Sequence, residues 1–87
     1  ELHAEVHPAL PSGTAGIFID RAGRNIITVA PGASAALGTG FIDAMRPAFN
    51  GADVVLAQLD VAPAAVQAAL ARGRAAGATT VLNPAPA

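Results

Sequence analysis

The chain has 87 residues and a formal net charge of −1; hydrophobic residues make up 53%, charged residues 13% and aromatics 3%, and lysine and cysteine are absent. That apolar share excludes an intrinsically disordered chain, the five dispersed arginines exclude a basic footprint for nucleic acid or anionic lipid, and the missing cysteines exclude a disulfide framework or a thiolate metal site. The length allows at most one small domain, which alone would bury roughly two thirds of its unfolded surface, so a composition this apolar predicts a surface covered by something else.

No run reaches the roughly 18 apolar residues of a membrane span, and the opening ELHAEVHPAL has neither the basic nor the apolar region of a secretory signal. A cytoplasmic protein with no membrane or nucleic-acid partner is the expectation. The chain starts on Glu1 and stops on Ala87, directly after a strand pattern, and both ends read as cuts from something longer.

Residues 1–13 hold His3 and His7 among Pro8, Pro11 and Gly13 and read as an extended lead-in. The two histidines are four apart, but HAEVH does not set a glutamate next to the first of them as the zinc-protease motif requires, so they read as solvated side chains. From Ala15 to Ala30, AGIFIDRAGRNIITVA is two β-branched runs around a polar turn containing Gly23, a hairpin signal. Alternation is missing: Ala15, Ile17 and Ile19 point one way, Phe18 the other, and Ile26, Ile27 and Val29 repeat the two-sided pattern. A strand pair inside an ordinary core fits this, and so does a flap with a ligand on one face and a partner on the other.

PGASAALGTG reads as small residues closing on a turn, and FIDAMRPAFN places Ile42, Met45 and Phe49 at helical spacing, predicting one short helix that bends or tightens at Pro47. The run Val54–Leu59 is apolar throughout, as in a parallel strand covered on both faces, and ends on Asp60. APAAVQAALARGRAAG predicts a helix opening at Pro63, with Val66, Ala69, Leu70 and Gly73 inward, Gln67 and Arg74 outward, and Gly77 as its cap. TTVLN is the second strand, so the unit is a right-handed βαβ crossover. Open α/β sheets bind ligands beyond the carboxyl ends of their strands. Asp60 and Asn83, the latter held extended by Pro84, are expected to stand together there as acceptor and amide for a polyol or phosphate-bearing ligand. Two parallel strands have unpaired edges and bare faces, so neighbouring strands outside this chain are implied.

GIFIDRAGRNIITVAPGASAAL, GADVVLAQLD and VLNPAPA, in this order and spacing, resemble the middle of the ribokinase-like (phosphofructokinase B) family of carbohydrate kinases, over residues 12–87. The resemblance implies a doubly wound α/β fold with a β-sheet lid, residues 1–36 being lead-in and lid hairpin and 37–87 part of the α/β core. It implies an enzyme that uses ATP and magnesium to phosphorylate ribose to ribose 5-phosphate, and leaves open a monovalent cation. Ala15, Ile17 and Val29 would touch the sugar, while the other hairpin face would pack in a lid-to-lid homodimer. Asp60 stands where the family usually carries a sugar-binding glutamate, one methylene longer; Asn83 would lie near the cleft; Ser34 replaces the asparagine common after PGA.

The family's amino-terminal sugar-binding segment, its Asn-x-x-Glu segment near magnesium, and its Gly-Ala-Gly-Asp motif with the catalytic base are all outside this stretch. No catalytic residue is therefore expected among these 87 residues, and the segment alone is expected to be inactive. Two alternatives stand beside ribose phosphorylation: another kinase of the group, acting on a ketose, a deoxy sugar acid or a nucleoside, and a non-catalytic sugar-binding or dimerisation module.

Overall fold

The computed structural model describes residues 1–86. The lead-in is irregular, and β1 (Thr14–Ile19) and β2 (Asn25–Ala30) form an antiparallel hairpin. The turn follows from its residues. Gly23 adopts φ +79°, the Gly23 N–H donates to the Asp20 carbonyl at 3.0 Å, and the Asp20 N–H donates to the Arg24 carbonyl at 2.9 Å. This is a three-residue connection that ends on a left-handed glycine. The Asp20 carboxylate locks it, accepting from the Ala22 N–H (2.8 Å), the Arg24 N–H (3.0 Å) and Arg24 Nε (2.7 Å).

The backbone N–H of Arg24, then its guanidinium, hold the Asp20 carboxyl below its ordinary value. A depressed folded-state pKa means that this contribution to the turn is present above the unfolded carboxylate pKa and is lost as pH falls through the lower, folded value. The Asp20 carboxyl carbon, followed by NMR, should titrate below a free aspartate, and the Ala22 and Arg24 amide shifts should move with it. Titration of Asp20 at the ordinary position would refute the locked turn.

PGASAA forms a 3₁₀ turn over Gly32–Ala36, more regular than the simple turn expected. The single bent helix is instead two pieces, α1 (Thr39–Ala44) and α2 (Arg46–Phe49). Pro47 has no N–H for the carbonyl four residues back, and its ring clashes there. The chain breaks at Met45 (φ −86°, ψ 12°) and restarts with Pro47 in the first turn of α2, where no N–H is needed.

β3 (Val54–Gln58), α3 (Pro63–Ala75) and β4 (Thr79–Asn83) form the expected βαβ unit with β3 and β4 parallel. Pro63 opens α3, and at its end the Gly77 N–H donates to the Arg74 carbonyl (3.1 Å) and the Ala78 N–H to the Gly73 carbonyl (2.9 Å). With Gly77 at φ +87°, these two bonds satisfy carbonyls the helix leaves free.

Val66 and Gly73 are buried, Ala69 and Leu70 half-buried, and Gln67 and Arg74 exposed, as the helical stripe predicts. Ala65 is buried as well, at 1% exposure. It begins the row 65, 69, 72 on a second flank of α3, and Arg72 on that row donates from Nε (3.1 Å) and Nη2 (2.5 Å) to Asp43 of α1. The core among the described residues is Ile42, Ala65 and Val66, beside Gly73.

Every residue of β1 and β2 is exposed, including Phe18 at 67% and Ile26 at 73%. The β3–β4 face that carries Val54, Leu56 and Val81 is also open. A compact domain of this length has a radius of gyration of about 12 Å, and the observed 15.4 Å reflects these two uncovered layers. Covering an exposed isoleucine or phenylalanine stabilises by about 1.5–3 kcal/mol, so both surfaces are built for cover.

Candidate functional site

Antiparallel partners share a face, and the register pairs Ala15 with Val29 and Ile17 with Ile27. Ala15, Ile17 and Val29 therefore lie together on one side of the hairpin, with Phe18, Ile26 and Thr28 on the other. The apolar trio is exposed, Ile17 at 59% and Val29 at 64%. It forms an apolar patch whose side chains can lie against a ligand ring but offer no hydrogen bond.

The polar group lies at the carboxyl edge of β3 and β4, and here the expected geometry needs correction. Asp60 does not close β3. The strand ends at Gln58, whose register partner is Asn83, and Asp60 stands two residues further on in the connection to α3, exposed. The reason is the turn that follows β4: the Ala85 N–H folds back onto the Asn83 carbonyl at 2.8 Å and engages the acceptor that Leu59 would need to continue the ladder. The Leu59 N–H instead donates to the Ala85 carbonyl at 3.0 Å, beyond the proline, and the chain turns out of the strand. Asp60 and Asn83 still share the carboxyl edge, but the strand-end pair is Gln58 with Asn83.

Those two amides, with Leu56 and Ala57, line an open depression of about 430 Å³. Gln58 is the residue sequence reasoning missed. The two-residue period of β3 puts Gln58 on the same face as Leu56, but its place opposite Asn83 is a matter of register between the strands. An exposed carboxylate beyond one strand and two carboxamides across the rung give acceptors and donors for a polyol.

A second hollow, of about 320 Å³, adjoins this edge. His3, His7, Ser12, Ser34 and Phe41 line it, together with Val61, the residue after Asp60. The hairpin root and the Asp60 connection thus border one space. His7 Nδ1 accepts from the N–H groups of Ala9 (3.2 Å) and Leu10 (3.1 Å), a local turn contact, and His3 Nε2 lies 3.9 Å from the Glu1 carboxylate. Among the described residues, no three His, Asp or Glu side chains gather to hold a metal ion, and no helix is long and apolar enough to cross a membrane.

No protein-family model matches the chain. A ribokinase of Mus musculus is 37% identical over 76 residues, covering 87% of this chain and 24% of that protein. The solved structure of Sa239 superposes with a TM-score of 0.85 at 38% identity, over 92% of this chain and 26% of its own. The structure of ribokinase from Giardia lamblia superposes with a TM-score of 0.73 at 25% identity, over 90% of this chain and 25% of its own. The chain spans about a quarter of the length of each of these proteins.

Proposed function

The chain is a segment of the ribokinase-like family and carries part of that α/β fold, and we propose that the full-length protein is an ATP-dependent kinase that phosphorylates ribose to ribose 5-phosphate in the cytoplasm. What carries the reading is the span of the match. The ribokinase likeness runs over 76 residues, 87% of the chain, a stretch too long to leave out either the apolar hairpin or the Asp60 connection.

Residues 1–36 act as lead-in and lid, and 37–87 as part of the core. Asp60 accepts hydrogen bonds from sugar hydroxyls, and Asn83 with Gln58 donates or accepts beside it. Ala15, Ile17 and Val29 cover the sugar and exclude water. The sugar's primary hydroxyl oxygen bonds to the γ-phosphorus, the bond from that phosphorus to the ADP oxygen breaks, and the hydroxyl proton passes to a base outside this segment. Magnesium accompanies the ATP, as the family resemblance implies; among the described residues no three His, Asp or Glu side chains gather to hold a metal ion, and no step here runs through one. The Phe18, Ile26 and Thr28 face packs against the same face of a second copy.

The test is ATP consumption by the full-length protein against a panel of pentoses, ketoses, deoxy sugar acids and nucleosides, with sedimentation of the same preparation. Ribose-dependent turnover by a dimer is expected. Turnover only with another sugar or a nucleoside replaces ribose by that substrate, saturable ribose binding without turnover favours a binding module, and a monomer removes the lid-to-lid contact.

A further inference from the structure

Just outside the last rung of the hairpin, Thr14 with Ala30, the entering and leaving strands cross backbone on backbone. The Ala33 N–H donates to the Pro11 carbonyl at 2.8 Å. Gly32 sits at φ +53°, and a Cβ there would lie 2.3 Å from the Pro11 oxygen and 3.0 Å from the Ser12 carbonyl carbon. A Cβ on Gly13 would lie 2.8 Å from the Pro31 oxygen. Neither approach can be relieved by a side-chain rotation, because the opposing atoms are backbone. Any side chain here must push the two roots of the hairpin apart and so tilt β1 and β2. Ser12 and Ser34, one on each root, face the hollow that Val61 also lines, so such a tilt moves the hairpin relative to the Asp60 connection.

We infer that this crossing of Pro11–Gly13 with Pro31–Ala33 holds the hairpin at its working angle, and that Gly13 and Gly32 are positioning residues for the sugar. The inference rests on the proposed role of the Ala15, Ile17 and Val29 face as the sugar's cover. A misplacement near 1 Å costs up to roughly 100-fold in a positioned reaction, so a partial tilt should be readable in the sugar KM.

Three variants of the full-length protein separate the causes. Gly13→Ala brings the contact without a positive φ, Gly32→Ala brings both, and Gly51→Ala brings a positive φ (+79°) in open space with no contact. Gly13→Ala also keeps the test open should Gly32→Ala fail to fold. Against a wild type shown to use ribose, the first two should raise the ribose KM about fivefold and leave the ATP KM within about twofold, with Gly51→Ala changing neither. Without substrates, trypsin should cut after Arg21 or Arg24 at the hairpin tip faster in the first two variants and at the wild-type rate in Gly51→Ala. Unchanged cleavage in Gly13→Ala and Gly32→Ala overturns the inference, as does faster cleavage with an unchanged ribose KM, or equal effects in Gly51→Ala. A wild type inactive on every sugar defeats the proposed function, not the crossing, which the cleavage rates then judge alone.

Discussion

Replacing Asp60 with alanine in the full-length protein is expected to raise the KM for ribose by roughly 10- to 100-fold, since a hydrogen bond to a charged group contributes about 1.5–3 kcal/mol. The KM for ATP should stay near the wild-type value, because the role proposed for the carboxylate is to accept from sugar hydroxyls and not to meet phosphate. Folding should be unaffected. Asp60 is exposed, lies outside both strands and makes no ion pair among the described residues. Steady-state kinetics with the sugar varied at saturating ATP read this directly. A ribose KM within twofold of wild type would remove Asp60 from the site.

The glutamate substitution sharpens the test. Asp60 begins one methylene short of the side chain usual in the family and stands two residues past Gln58, where the backbone has already left the ladder. If the connection brings the carboxylate to the sugar by its own path, Asp60→Glu should overshoot and weaken binding. If the shorter side chain leaves a gap, Asp60→Glu should lower the KM. Either result keeps the carboxylate as a sugar ligand; indifference to both alanine and glutamate does not.

The second large effect is on stability. Gly73 lies where α3 crosses the β3–β4 sheet, and a Cβ there would come within 2.6 Å of Val55 Cγ2 and 2.9 Å of Val55 Cβ. Val55 is β-branched and stiff at χ1, so it cannot swing aside. Gly73→Ala must lift the helix from the sheet against the burial of Val66 and Ala65, at 4% and 1% exposure. Overpacking of this kind costs about 1–3 kcal/mol, which exceeds the up to 1 kcal/mol that alanine gains over glycine in a helix. Denaturant unfolding of the full-length protein should show the loss, and Val55→Ala in the same background should recover part of it, since the clash needs both side chains. Additive losses in the double variant would show that the helix does not seat on Val55.

The local patterns of the sequence determined a good deal. Gly23 set the hairpin turn, Pro63 and Gly77 bounded α3, and the apolar run from Val54 identified a strand, because each depends on the conformational limits of its own residue or on short-range periodicity. Tertiary structure decided the rest. Whether Asp60 or Gln58 faces Asn83 depends on ladder register, which ends where the Ala85 N–H takes the Asn83 carbonyl on the neighbouring strand. Ala65 is buried because α3 has a second flank, the one whose Arg72 reaches Asp43 of α1. Gly13 in the lead-in and Gly32 in the small-residue turn read as ordinary breakers until two backbone segments 19 residues apart are seen to cross. A residue's own chemistry restricts its φ and ψ, but which surface it meets is set by chain segments distant in sequence, and that is why the edge and the hairpin root emerge only once the chain is folded.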